Sequence, residues 1–472
     1  MPDLDHRHHL VLRGGVVVTM DAGRTVLDRG DVAVAGGRIV AVAPGGQIPD
    51  AAGGRVVDCS GCAVLPGLVD CHNHLFQGLC RGLGDGLALW DWLTRLIWPY
   101  ADHVTPEDAR AAARLAAVEA VRAGTTSLLD NHYAPADPAS TLAVAEAMEE
   151  VGLRGVVARG IFGPRTDVAR DRGIPDLLFG RSAEEELEAT AACLDARPAG
   201  GRVEVWPAPI NPTYVEPDLL VRAVRLARDA RVRWHTHCAE VRADVATSMG
   251  THGVRPLVRL AREGLLEGGT VAHGIWLDEE EIMHLAQAGA AVSHCPVANQ
   301  YLASGVAPVG ELRRAGVAVG LGTDGPAGGQ RQDLFECMKS SVLLQRVHAL
   351  DPSAAQAEDA LEIATIGGAA LLGIDGGSLE PGKLADLVVV DLRGPHLRPL
   401  HRAATALAYS ARGADVRMTV VGGEVVFEDG RCTRVDEGEV LVEAQARAEA
   451  LVDRAGLSHL RAVWRPPSGP PG

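Results

Sequence analysis

The sequence predicts an α/β fold, a (β/α)8 barrel carrying a small β-sandwich made from the N- and C-terminal segments. Three observations lead there. Eight apolar β-runs alternate with Ala-, Leu- and Arg-rich helical stretches through the middle of the chain, the pattern of a parallel sheet with helical crossovers. Both ends read instead as short β-runs broken at Gly pairs. Histidines and carboxylates gather where the central apolar runs stop, which is where a barrel opens its mouth.

The barrel strands are expected at 64–74, 125–131, 154–162, 202–210, 232–240, 270–277, 290–299 and 317–324. Helices at 106–123, 140–151, 183–196, 216–230 and 278–288 fill gaps between them. The β-runs 10–20, 31–42 and 55–57 at the start, with 384–392 and 416–427 at the end, supply the sandwich. The organisation is therefore a composite sandwich from 1–64 and 376–472 around a catalytic barrel from 65–375, with a helix at 439–455. The closing Pro/Gly-rich residues are expected to lack order.

A chain of 472 residues exceeds one core, in keeping with two units. Aromatic residues make up only 4%, so Ala, Val and Leu must build the interior. The balance of 45 basic and 61 acidic residues, −16 net, disfavours nucleic acid and anionic membranes and leaves a small neutral or cationic substrate. Nine Cys suit reduced thiols better than a disulfide framework, and Cys59 and Cys62 read as two small buried hydrophobes. With no membrane-length apolar run and no charged and apolar leader, the expected compartment is the cytoplasm.

His72 and His74 end the first strand, and an H-x-H step on a strand points both rings to one face. His237 ends the fifth strand and Asp324 the eighth, inside Gly322-Thr-Asp-Gly. Together these four strand-terminal donors suit one divalent cation, Zn2+ or alternatively Fe2+, with room left for water. Glu240 lies where the fifth strand opens into its loop, placed to move a proton between water and a ring nitrogen. His273 ends the sixth strand in Val-Ala-His-Gly and is expected to orient the attacking water. His235, two residues before His237, is read as a core histidine one layer deeper. Gln77, Trp90, Trp92, His294 and Asn299 are the candidate substrate-binding residues, with Phe76, Trp90, Trp92 and Trp98 forming a wall for a flat ring.

The runs Pro66-Gly-Leu-Val-Asp-Cys-His-Asn-His, His237-Cys-Ala-Glu, Val271-Ala-His-Gly, His294-Cys-Pro-Val-Ala-Asn and Gly322-Thr-Asp-Gly resemble the amidohydrolase superfamily over roughly residues 10 to 450. His72-Asn-His-Leu with Gln77, Asp91-Trp-Leu, Val205-Trp-Pro-Ala-Pro and Ser304-Gly-Val-Ala-Pro-Val are similar to its aminohydrolase and s-triazine hydrolase branch. The resemblance implies His72, His74, His237 and Asp324 as metal ligands and Glu240, His273 and Asp324 as catalytic groups. Other branches bridge two metals with a carbamylated lysine on a middle strand. Here the two lysines, Lys339 and Lys383, both follow Asp324, so the single-metal type is expected.

The function expected is metal-dependent hydrolytic deamination of an aminopurine, pterin or aminotriazine type of ring. The alternatives are displacement of chloride or an alkylamine from an s-triazine-like ring, and a barrel kept as a non-catalytic scaffold. Triazine hydrolases carry a polar residue after the metal-binding aspartate; Gly325 stands here and counts against dechlorination. S-adenosylhomocysteine deaminases carry a ribose-binding glutamate after an Ile-Trp-Pro step; Tyr100 and Ala101 follow Ile97-Trp98-Pro99 here and count against a nucleoside. Apolar helix faces suggest a homo-oligomer, a dimer or tetramer.

Overall fold

The computed structural model describes residues 9–49 and 54–461. Eight parallel strands form the barrel: β1 (Leu68–Asn73), β2 (Thr125–His132), β3 (Arg154–Ile161), β4 (Val203–Pro209), β5 (Trp234–Cys238), β6 (Gly269–His273), β7 (Ala291–His294) and β8 (Ala318–Leu321). They pair as two arcs, β1 to β4 and β5 to β8. The arcs close through single backbone bonds at the seams. His237 N–H donates to Ile210 O at 3.1 Å, and Asp324 N–H donates to His72 O at 3.0 Å. The residues that close the barrel are thus also candidate ligands.

Where the ladder between β8 and β1 lapses, side chains replace it. Buried Asp70 accepts from Thr323 N–H at 3.1 Å and from the Thr323 hydroxyl at 2.5 Å, and from Asn73 Nδ2 at 3.1 Å. Its other backbone partner is His72 N–H at 3.3 Å. One carboxylate therefore ties the strand that carries His72 and His74 to the loop that carries Asp324.

The expected first strand is in fact two. Cys62–Pro66 belongs to the terminal sheet and Leu68–Asn73 to the barrel, parted at Gly67. A Cβ at Gly67 would lie 2.2 Å from the Thr126 side chain, so the chain crosses β2 at a place only glycine fits. The expected runs 270–277 and 290–299 also end early, at His273 and His294, the second giving way to a helix, Pro296–Tyr301.

The sandwich is built from one continuous nine-stranded sheet that mixes both chain ends. Leu387–Asp391 pairs antiparallel with Cys62–Pro66, which in turn lies parallel to Leu10–Val18. Leu12, Val32, Ile39, Val64, Leu387 and Met418 meet in its core, and Cys59 and Cys62 are buried among them. All nine cysteines are free thiols.

The helix Glu437–Arg454 leaves that sheet and packs on the barrel. Val440, Ala444, Leu451 and Val452 join the barrel core, while Arg447 and Arg454 bind Asp108. Asp108 also completes the capping box with Thr105 that starts the barrel helix Pro106–Arg122. Among the described residues no helix is long and apolar enough to cross a membrane. The closing Pro/Gly-rich run lies outside the described residues.

Candidate active site

Three imidazoles converge at the C-terminal mouth of the barrel. His74 donates from Nδ1 to Asn131 O at 2.7 Å, and His237 donates from Nδ1 to Ile210 O at 3.2 Å. A carbonyl can only accept, so each neutral ring carries its proton on Nδ1 and presents a bare Nε2. These two Nε2 atoms lie 3.2 Å apart. Two lone pairs at that distance repel unless a cation lies beside them. His72 Nε2, fully buried, has no hydrogen-bond partner among the described residues. Asp324 Oδ1 stands 3.6 Å from Nε2 of both His72 and His74.

His72, His74 and His237, and again His72, His273 and Asp324, bring their donor atoms within 4.8 Å of one another. Nitrogen donors with one carboxylate fit a divalent transition metal, and the carbonyl partners of His74 and His237 are the usual anchors of metal-binding histidines. Burial also lowers the pKa values of His72, His74 and His237, keeping the rings neutral as ligation requires.

The second group of reactive side chains lies beside the first. His273 Nε2 is 3.5 Å from Glu240 Oε2, while its Nδ1 donates to Asn299 Oδ1 at 3.0 Å. The Ser304 hydroxyl donates to Glu240 Oε1 at 3.2 Å. Glu240 N–H is held by Asp244 at 3.2 Å, and Asp244 also accepts from the Tyr214 hydroxyl at 3.1 Å. Burial raises the Glu240 carboxyl to about 7. At His273 burial acts to lower the pKa, yet Glu240, Asp324 and Asn299 together leave it raised.

Both His273 and Asp324 have left-handed backbones, at φ 68° and 62°. For non-glycine residues this conformation costs about 1–3 kcal/mol each and is found where surrounding structure holds a functional side chain in place. The turn aims both side chains into the mouth instead of letting them continue along the strand.

Glu240, His273 and Asp324 line a cavity walled by Trp90, Trp92 and Trp98. Trp90 meets Trp98 and Tyr214 edge-on, each at 6.0 Å between ring centroids, and Arg172 covers its ring at 5.5 Å. Gln77 also lines it. Its amide lies near Tyr133, but neither amide atom has a hydrogen bond of normal geometry in the described structure. A wider groove on the surface, running between Trp276 and His348, holds none of these residues.

The remaining residues expected from the sequence fall differently. Asn299 is buried behind His273 and sets that ring's orientation, outside the cavity wall. His294 is fully buried, without hydrogen bonds on either ring nitrogen, and does not face the cavity. Phe76, expected in the aromatic wall, does not line the cavity, and its carbonyl accepts from the Tyr100 hydroxyl at 2.7 Å. Sequence reasoning gave no role to Asn131, Tyr214, Asp244 or Ser304. Only Ser304 had a signal, as the first residue of the Ser304-Gly-Val-Ala-Pro-Val run.

A family model described as "Amidohydrolase family" matches residues 63–426. The chain is an amidohydrolase. This amidohydrolase is 42% identical over 396 residues to a 5-methylthioadenosine/S-adenosylhomocysteine deaminase of Natronomonas pharaonis, covering 84% of this chain and 88% of that one. It is similar to the structure of an adenosine deaminase from Xanthomonas campestris with bound zinc, with a TM-score of 0.87, 31% identity and coverage of 95% and 99%. Atrazine chlorohydrolase from Arthrobacter aurescens, complexed with zinc, superposes with a TM-score of 0.87 at 27% identity, covering 93% of this amidohydrolase and 100% of that chain. The first two names belong to the nucleoside class that Tyr100 and Ala101 counted against.

Proposed function

We propose that this amidohydrolase removes the exocyclic amino group of an amino-substituted N-heteroaromatic ring, of adenine type, and releases ammonia. The observation that carries the reading is the Glu240–His273 pair, 3.5 Å apart, facing a tryptophan-walled cavity beside the four candidate ligands His72, His74, His237 and Asp324. The deaminase names of the relatives support it, and the zinc bound in the similar adenosine deaminase structure supports the metal. Zn2+ is the ion proposed, with Fe2+ the alternative.

Held by those four residues, the metal ion supplies a Lewis acid that brings the pKa of water toward neutrality. The chain's own groups do the rest. Glu240, holding its proton near neutral pH, delivers it to the ring nitrogen next to the attacked carbon as the water oxygen bonds to that carbon, and regains a proton by taking one of the two from the water. His273, fixed by Asn299, orients the water. Asp324 takes the remaining water proton and passes it to the departing nitrogen, so the C–N bond breaks and neutral ammonia leaves. Trp90 and Trp92 stack against the flat ring, and the Gln77 amide offers one donor and one acceptor to its edge.

The test is ammonia release by metal-replete protein from adenine, adenosine, methylthioadenosine, guanine, a pterin and melamine, with chloride release from atrazine measured alongside. Ammonia from a purine or purine nucleoside supports the reading. Chloride alone favours the displacement alternative, and neither product rejects both. A homo-oligomer, cytoplasmic location and a small-molecule partner without nucleic acid or membrane belong to the same proposal. Leu343, Val347 and Leu350, exposed along the helix Leu334–Ala349 and its cap, fit self-association, which light scattering in solution would check.

A further inference from the structure

We infer that His235 and Thr270, neither of them part of the donor clusters at the mouth, set the tautomer of His72 and so make its Nε2 a ligand. The inference rests on the metal centre proposed above. His74 and His237 have their tautomers fixed by carbonyls, but His72 has a different partner. Its Nδ1 lies 2.9 Å from Nε2 of His235, and two neutral imidazoles can share a proton either way round. Nothing in that pair alone says which nitrogen donates.

The next two contacts decide it. His235 Nδ1 lies 2.7 Å from Thr270 Oγ1, and Thr270 Oγ1 lies 3.1 Å from Trp234 O. The carbonyl can only accept, so the hydroxyl spends its single proton there. Thr270 Oγ1 must then accept from His235, which places the His235 proton on Nδ1 and leaves Nε2 bare. A bare His235 Nε2 requires a proton on His72 Nδ1. His72 Nε2 is left with its lone pair, directed at the space it shares with His74, His237 and Asp324.

The geometry that allows this is built into the sheet. His235 and Thr270 are register partners on the adjacent parallel strands β5 and β6. Both are fully buried, so water does not offer a competing partner. The same two-residue period that puts His235 and His237 on one face places His235 one layer beneath the ligands. His235, read from sequence as core packing, is a positioning residue for His72.

The experiment is zinc affinity, by competition with a chromophoric chelator, on wild type, Thr270→Val, Thr270→Ser and His235→Phe, each stripped of metal beforehand. Valine keeps the shape of threonine but removes the acceptor, which frees His235 to move its proton to Nε2 and point it at His72. Thr270→Val is expected to weaken zinc binding roughly 10- to 100-fold, and Thr270→Ser to restore it. His235→Phe is expected to weaken it at least as much. Nitrogen-15 spectra of the metal-free protein should show His72 protonated on Nδ1 in wild type and a changed pattern in Thr270→Val, a readout independent of folding yield. Wild-type zinc affinity in Thr270→Val, or a His72 proton found on Nε2 in the wild type, overturns the inference. If wild type itself binds no zinc, the metal-centre reading fails instead.

Discussion

A Cβ placed on Gly325 would lie 2.1 Å from Oε1 of Gln77, so the residue after Asp324 and the amide of the first-strand loop compete for the same space. Glycine is required there if Gln77 is to reach the cavity wall. Gly325→Ala should push the flexible amide aside and crowd the His74 Cβ, 2.9 Å away, lowering kcat/KM roughly 10- to 100-fold with at most a smaller loss of zinc. Steady-state kinetics with elemental analysis check this. Unchanged kinetics would remove Gln77 from the substrate site.

His237→Ala and Glu240→Gln should fail in different ways. Losing His237 removes a proposed ligand, and the protein is expected to lose metal on dialysis against a weak chelator. Glu240→Gln keeps all four donors, so metal should remain while turnover falls about 100- to 10,000-fold. Equal metal loss in both would contradict the division between ligands and proton carrier.

Glu240 gives a pH dependence with a definite sign. Its carboxyl is raised by burial to about 7 from an ordinary value of 4.5, so it holds a proton in the folded protein that the unfolded chain has released. Its contribution to stability is therefore fully present below about pH 4.5 and lost as pH rises through about 7, at roughly 1.4 kcal/mol per pH unit where steepest. Metal-free wild type should lose melting temperature between pH 5 and 8 more than metal-free Glu240→Gln. Parallel curves would show that Glu240 does not titrate in this range. Turnover that needs the protonated acid should likewise decline on the alkaline side.

Asn299→Leu tests how much the orientation of His273 matters. The ring would lose its Nδ1 partner and, with it, the fixed direction of Nε2 toward Glu240. The expected result is a fall in kcat of roughly 10- to 100-fold, with KM and zinc content little changed. A rise in KM alone would mean that Asn299 binds substrate directly, as the sequence had suggested.

The barrel was legible because its signal is periodic and local. Apolar runs of strand length, helices with capping residues such as Thr105 and Ser182, and candidate ligands spaced two apart along one run need no knowledge of neighbours. Strand ends were harder to place: His273 and Asp324 leave the β region with positive φ, and although His and Asp enter that region more often than most non-glycine residues, nothing in the sequence marks which of them do. Gly67 likewise divides a run that reads as one strand, because its clash is with Thr126, far along the chain.

The linear order of residues marked the side chains proposed to hold a cation and to move a proton, since His72, His74, His237, Glu240, His273 and Asp324 each stand at the end of an apolar run. Only the folded chain decided what orients them. Backbone carbonyls of Asn131 and Ile210, the Thr270 hydroxyl and the Asn299 amide act by position alone, and position across a barrel seam is fixed by strand register and closure. A carbonyl looks the same at every residue of a sequence; its direction is a property of the fold.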